Sequence, residues 1–254
     1  MPDIIPETSF IGIDIGSSWV KAVELKKGFG GYAISKVARK QIATPETDTP
    51  EERQKASISA VTSLLRENGM TGRNVVVGLP GYQIFVRKMR VPDAGGDRIG
   101  KIVQYEARQQ IPFPLEKITL DFHYKPIADS NEVEVLLVGS KKEIIAEYMG
   151  WYRKSGLKLK YLDVSPVALY NFQKYIDPAL GDEATALINI GAATTDISIV
   201  RDGELGFTRT APVGGNDITR NITKYLETDF ARAEELKLQF GRVPLDYEVS
   251  LGLD

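Results

Sequence analysis

Hydrophobic and polar residues alternate along the first forty positions in three runs. Phe10 to Ile15 is apolar except for Asp14, Trp19 to Leu25 supplies the second arm of a hairpin around Gly16-Ser17-Ser18, and a third strand runs from Tyr32 to Ile42. The period then changes. After a loop from Thr44, the trio Thr49, Pro50 and Glu52 predicts a capping-box helix start, and Ala56, Ala60, Val61, Leu64 and Leu65 recur at helical spacing until Asn68-Gly69. Asn74 to Leu79 returns to strand and runs into Pro80-Gly81.

From Tyr82 to Gly156 the pattern reads strand, helix, two strands, helix, which predicts a small α+β module inserted in a larger fold. Asp97, after Gly95-Gly96, is placed to cap the first of these helices. Its apolar face is Ile99, Ile102, Val103, Ala107 and Ile111, and Pro112 and Pro114 stop it. Ile118 to Ile127 and Glu132 to Gly139 flank the turn Asp129-Ser130-Asn131, and Ile144, Ile145, Tyr148, Met149 and Tyr152 mark the second helix. Leu157 to Val164 then reads as strand and Ser165 to Tyr175 as helix, before strands near 184–190, 195–201 and 204–211 and helices near 216–227 and 229–240. The tail from Arg242 is weakly patterned, a helix start without its continuation.

The late strands repeat the early ones. An offset of 175 sets Ile13-Asp14-Ile15-Gly16 on Ile188-Asn189-Ile190-Gly191, and Ser17-Ser18 on Ala192-Ala193. Two like hairpins predict two like lobes, whose glycine turns can offer backbone N–H groups to phosphate oxygens from both sides of a cleft. The competing reading makes Gly16 and Gly191 ordinary hairpin glycines. Asp14, ending a buried strand, suits a hydrated Mg²⁺, which asks for few protein carboxylates. Ser17 and Ser18 can donate to phosphate, and Lys21 adds a point charge. Gly214-Gly215-Asn216-Asp217 opens a helix and is either a further phosphate cradle or a plain turn capped by Asn216 or Asp217. Glu234 and Lys237, three apart, either contact a ribose or purine or form a solvated ion pair. No Walker A run and no G-x-G-x-x-G fingerprint occurs.

Composition narrows the classes. At 254 residues, one large domain or two smaller ones are expected, and 43% hydrophobic with 26% charged residues argues against disorder and a membrane-embedded body. Lys and Arg number 32 against 34 Asp and Glu, so no electrostatic footprint for nucleic acid is present. The absence of cysteine removes thiolate chemistry and sulfur-ligated zinc, and fits a reducing compartment. Met1 to Glu7 has no basic leader with a long apolar run, and His123, the sole histidine, belongs to no triad or metal cluster.

The glycine turns resemble the phosphate-1 and phosphate-2 motifs of the actin-like ATPase superfamily, through Gly12-Ile13-Asp14-Ile15-Gly16-Ser17-Ser18 with Lys21, Asn189 to Asp196, and Gly214 to Thr219. The inserted module narrows this. Tyr105-Glu106-Ala107-Arg108-Gln109-Gln110-Ile111-Pro112-Phe113-Pro114, with Leu120-Asp121-Phe122 and Leu162-Asp163-Val164-Ser165-Pro166, resembles the PilM family of type IV pilus assembly proteins.

That resemblance implies an α/β fold of duplicated actin-like (ribonuclease H-like) lobes, similar to the cell-division protein FtsA, with an inserted α+β subdomain 1C in place of 1B. The implied division is subdomain 1A at 8–79 and 157–180, 1C at 80–156, and a partial 2A at 184–254, with the C-terminal part of lobe 2 and its adenosine motif missing. It further implies a cytoplasmic scaffold that binds ATP with Mg²⁺ and captures the amino-terminal peptide of the inner-membrane protein PilN between 1A and 1C. Carried over by position, Asp14, Gly16, Ser17, Ser18 and Lys21 form phosphate-1, with Asp14 toward the metal. Gly191, Ala192, Thr194 and Asp196 form phosphate-2, Gly214 and Gly215 the loop beyond it, and Glu234 and Lys237 the adenosine-side helix. Arg87, Tyr105, Glu106, Arg108, Ile111 and Phe113 are the expected peptide-groove residues, with core packing or a solvated face as the alternative for each. Asn189 stands where the superfamily usually has an aspartate, which predicts weak or absent hydrolysis. The cytoplasmic domain of a type II secretion L protein, and an active kinase or ATPase of the superfamily, are the other readings.

Overall fold

The computed structural model describes residues 9–42, 49–72, 74–111 and 113–242. The leader reading at Met1 to Glu7, the loop from Thr44 to Asp48, the helix stop at Pro112 and the tail from Val243 lie outside the described residues.

Three strands open the chain, β1 (Ser9–Ile15), β2 (Trp19–Gly28) and β3 (Gly31–Gln41), followed by helix α1 (Pro50–Glu67) and strand β4 (Asn74–Leu79). With β8 (Lys158–Val164) they form a five-stranded sheet in the order β3-β2-β1-β4-β8, in which β1 is antiparallel to β2 and parallel to β4. The period-two pattern explains its core: Ile11, Ile13, Val20, Ala22, Val75 and Val77 alternate along their strands and are buried together. Helix α1 lays Ala60, Val61, Leu64 and Leu65 on that face. It starts as the sequence predicts, with the Thr49 N–H donating to Glu52 Oε2 at 2.9 Å and the Glu52 N–H donating to Thr49 Oγ1 at 3.3 Å.

The inserted segment contributes β5 (Ile84–Pro92), α2 (Asp97–Gln110), β6 (Ile118–Pro126) and β7 (Glu132–Lys141), with the sheet order β5-β7-β6. Val91, Val133, Val135 and Leu137 pack under Ile99, Val103 and Ala107 to give it a core of its own. Three expectations change here. Asp97 does not cap α2: Gly96, at φ 49°, is the N-cap, and Asp97 is already the first helical residue. The left-handed backbone at Gly95 and Gly96 fixes the entry, and Asp93 Oδ1 accepts from the Gly95 N–H at 3.1 Å. Ile111 belongs to the inserted core, 7% exposed, because the helix register carries it onto the same face as Ala107. Helix α3 (Lys142–Lys154) was expected with the inserted module, yet its Tyr148 and Tyr152 are buried in the core of the five-stranded sheet.

Helix α4 (Ser165–Ile176) leads to the second lobe: β9 (Thr185–Ile190), β10 (Thr195–Arg201), β11 (Glu204–Ala211), α5 (Gly215–Leu226) and α6 (Phe230–Phe240), with the sheet order β11-β10-β9. The repeat seen in sequence is a repeat of structure. Ile15 pairs with Val20 as Ile190 pairs with Thr195. A β-bulge at Ser35 of β3, opposite Glu24 and Leu25, recurs at Gly206 of β11, opposite the equivalent Ile199 and Val200. One difference is large. β1 has β4 beside it, whereas β9 is an edge strand among the described residues, so Ile188 is 58% exposed where Ile13 is 3% exposed.

The lobes are held at the β10–β11 turn, where Asp202 and Gly203 are left-handed. The Tyr170 hydroxyl and Lys174 Nζ of α4 both donate to the Gly203 carbonyl, at 2.8 and 2.6 Å, while Lys125 of β6 pairs with Glu204 at 3.1 Å.

Candidate functional site

Each hairpin closes in the same way. The Gly16 N–H donates to the Trp19 carbonyl at 2.9 Å, and the Gly191 N–H donates to the Thr194 carbonyl at 2.8 Å. Both turns need glycine for space. A Cβ on Gly16 would stand 3.1 Å from the Trp19 oxygen, and one on Gly191 would stand 2.9 Å from the Thr194 oxygen.

The two turns open onto one cavity of about 540 Å³. Asp14, Gly16, Ser17, Ser18 and Lys21 line it from the first lobe, and Asn189, Gly191, Ala192, Thr194 and Asp196 line it from the second. Tyr82, Tyr148 and Trp151 give it an aromatic wall. Burial pushes the Tyr148 hydroxyl up from its ordinary pKa. Gln83 also lines the cavity, and its Oε1 is buried without a hydrogen-bond partner among the described residues.

The charges inside are arranged asymmetrically. Lys21 Nζ donates to Asp14 Oδ2 at 3.2 Å, and both side chains are more than half exposed, so the pair is worth about 0–1 kcal/mol and is readily exchanged. Across the cavity, Asp196 is 9% exposed and accepts from the Thr210 hydroxyl at 2.5 Å. No cluster of three or more His, Cys, Asp or Glu that could hold a metal occurs among the described residues. His123 is exposed on β6.

Gly214 and Gly215 stand behind the second turn and do not line the cavity. The Gly215 and Asn216 N–H groups donate to the Gly191 and Ala192 carbonyls at 2.9 and 2.7 Å, so the start of α5 braces the turn, and those two N–H groups are not free for an anion. Gly214 is the N-cap, and neither Asn216 nor Asp217 holds that position. Asp217, at the third helical residue, accepts from the Gly214 N–H at 2.7 Å. A Cβ on Gly214 would fall 2.6 Å from the Gly191 oxygen, which is why two small residues stand here.

Glu234 and Lys237 also lie outside the cavity lining. They pair with each other at 2.6 Å over the fully buried Thr219, which donates to Glu234 and accepts from Lys237 at 2.9 Å. Burial opposes the Glu234 charge, but the Lys237 and Thr219 hydrogen bonds outweigh it and hold the carboxyl below its ordinary pKa. Lys237 Nζ also donates to the Gly215 carbonyl at 3.2 Å, tying α6 to the brace.

The expected groove residues are not gathered in one place. Tyr105 and Arg108 are exposed on α2, Glu106 is half-buried, and Phe113 is exposed under Lys141, whose ammonium lies 5.4 Å from the ring centre. Arg87 lines a separate groove, between β5 and β11. Sequence reading missed Tyr82, Gln83 and Trp151 as cavity residues, since nothing local distinguishes them from core or surface.

A family model described as type IV pilus assembly protein PilM matches residues 12–252. The cell division protein FtsA of Streptococcus pneumoniae is 24% identical over 260 residues, covering 92% of this chain and 56% of the relative. FtsA of Bacillus subtilis is 30% identical over 156 residues, 56% of this chain and 35% of the relative. The chain thus spans about half the length, or less, of these curated relatives. Among solved structures, a PilM-PilN type IV pilus biogenesis complex superposes with a TM-score of 0.80 at 28% identity, over 93% of this chain and 71% of the other. The cytoplasmic domain of EpsL, an inner-membrane component of the Vibrio cholerae type II secretion system, superposes at 0.52 with 10% identity, over 88% and 76% of the two chains. That likeness is one of fold. The architecture is the actin-like ATPase fold, with mixed α/β sheets. No helix among the described residues is long and apolar enough to cross a membrane.

Proposed function

The chain belongs to the family of the type IV pilus assembly protein PilM, and on that premise we propose that it is a nucleotide-binding scaffold of pilus assembly, which holds ATP and Mg²⁺ between its glycine turns and engages a PilN-type partner. The observation that carries the nucleotide reading is the convergence of two equivalent turns, 175 residues apart, on one cavity. Backbone N–H groups on both sides of a cleft suit a chain of phosphates better than a single anion.

The residues present fit such a ligand. Both turns face the same cavity, and Gln83 offers an orphaned acceptor suited to a metal-bound water. Ser17, Ser18 and Thr194 supply hydroxyl donors to phosphate, and Lys21 a mobile positive charge. Asp14, released from Lys21, is the carboxylate placed to hold a hydrated Mg²⁺, with Asp196 opposite. Bound there, the metal would neutralise phosphate charge. Gly214 and Gly215 act by bracing the second turn, and Glu234 with Lys237 by fixing that brace. Asn189 accepts and donates hydrogen bonds but takes no proton from an attacking water, so the chain's own residues favour holding nucleotide over cleaving it.

Support for the partner comes from the similarity to the PilM-PilN complex. We place the division of the chain at subdomains 1A (8–79 and 157–180), 1C (80–156, its last helix α3 packed onto the 1A sheet) and 2A (184–254), and the PilN amino-terminal peptide between 1A and 1C, near Tyr105, Glu106, Arg108 and Phe113. Through that peptide the scaffold would sit peripheral to the inner membrane. Titrating a labelled PilN amino-terminal peptide by fluorescence anisotropy tests this: saturable micromolar binding, lost in Tyr105→Ala with Arg108→Glu, is expected. Unaltered binding in that double variant would remove these residues from the groove.

A further inference from the structure

β5 and β11 are both edge strands, β5 of the inserted sheet and β11 of the second lobe, and they face each other across a groove of about 460 Å³. The volume is within the usual range for ligand clefts. Consecutive residues line it from each strand: Ile84, Phe85, Val86 and Arg87 on one side, Thr208, Arg209 and Thr210 on the other. Side chains of consecutive strand residues point to opposite sheet faces, so what such a run shares is its backbone edge. The groove therefore follows two strand edges, not one face.

Its charge has one sign. Arg87 and Arg209 are exposed, no Asp or Glu lines the groove, and neither guanidinium has a carboxylate partner among the described residues. The Val86 carbonyl on β5 is occupied by the Arg87 guanidinium at 2.9 Å, which leaves β11 as the edge better able to receive a new strand. The groove also borders the central cavity, since Tyr82 and Thr194 line both.

We propose that this groove docks an extended acidic segment of a partner protein, added as a strand to the β11 edge with its carboxylates on Arg209 and Arg87. The main-chain ladder supplies affinity and the two arginines supply the choice of an acidic chain. None of Tyr105, Glu106, Arg108 and Phe113 lines this groove, and it meets the nucleotide cavity at Tyr82 and Thr194.

Two fluorescein-labelled hexapeptides test it, one alternating glutamate and valine, the other lysine and valine, titrated by anisotropy at 50 mM salt and again at 150 mM salt. A third probe keeps the glutamates but carries proline at the central valine, so it retains the charge and cannot complete the ladder. Saturable binding of the acidic probe is expected, at least tenfold weaker for the basic and proline probes and at least tenfold weaker in Arg209→Glu. Arg87→Glu serves as a second variant should the first not fold by circular dichroism. Equal binding of all three probes, or acidic binding that survives both charge reversals, would overturn the proposal. So would a sedimentation change showing that a second copy of this chain occupies the groove. Retention of PilN-peptide and nucleotide binding in Arg209→Glu would show that the outcome concerns this groove alone.

Discussion

Asp14 and Asn189 occupy the same register position in hairpins 175 residues apart, yet Asp14 faces Lys21 across its ladder and Asn189 faces Asp196. The duplication kept the backbone and exchanged the charges. One turn presents a carboxylate beside an ammonium, and the other an amide beside a carboxylate, all four lining one cavity.

Changing Asn189→Asp therefore places two carboxylates opposite each other in an antiparallel pair, where like charges repel. One of them takes a raised pKa, and a raised carboxyl pKa contributes stability below the unfolded value that is lost as pH rises through the folded one. The variant should melt below the parent at pH 8, match it near pH 4, and recover at pH 8 with millimolar Mg²⁺. Phosphate release, measured alongside with ATP, should rise. Identical melting at both pH values would mean that the two side chains do not meet.

Glycine at the brace is stricter than glycine at the first turn. An added methyl meets backbone oxygens at 2.6 and 2.7 Å at Gly214, but a single oxygen at 3.1 Å at Gly16. Gly214→Ala should cost about 2–4 kcal/mol in urea unfolding, and Gly16→Ala about 1 kcal/mol or less, since backbone cannot give way as a side chain can. Nucleotide affinity should fall in both.

Glu24 is 1% exposed in β2, and the Ser35 hydroxyl donates to it at 2.6 Å. That bond, helped by Lys26 and opposed by burial, holds the carboxyl below its ordinary 4.5. A depressed folded pKa gives stability that is present above the unfolded value and lost as pH falls through the folded one. Ser35→Ala should cost about 1–2 kcal/mol at pH 7, with the gap to the parent closing as the pH drops below about 4.

Asp163 in β8 shows the opposite sign. Burial pushes its carboxyl above the ordinary range despite the hydrogen bond it accepts from the Val164 N–H at 2.8 Å. Asp163→Asn should raise the melting temperature at pH 7, and the gain should shrink toward pH 4, where the parent carboxyl is protonated. A constant gain across that range would assign the effect to something other than charge.

Period and punctuation made the strands and α-helices of the described residues legible, though not the short 3-10 turns at Gly81–Gln83 and Leu115–Lys117, and the offset repeat exposed the paired turns, because each of those signals is local. Misreadings arose where a distant surface decided the outcome. The apolar face of α3 looks the same whether Tyr148 and Tyr152 meet the inserted sheet or the five-stranded one. Glu234 and Lys237, expected either at the adenosine or as a solvated pair, have their common edge covered by Thr219 from another helix. The Gly214 N-cap was hidden because Asp217 works from three residues inside the helix. The clasp of the Gly203 carbonyl by Tyr170 and Lys174 joins residues about thirty apart and leaves no periodic trace.

Backbone amide hydrogen exchange, followed by mass spectrometry with and without a non-hydrolysable ATP analogue and Mg²⁺, tests the central claim most directly. Peptides covering Gly16 to Trp19 and Gly191 to Thr194 should slow together, at the same analogue concentration, and both should lose that protection in Lys21→Ala. Protection of one turn alone, or of neither while the analogue binds, would contradict a ligand held between them.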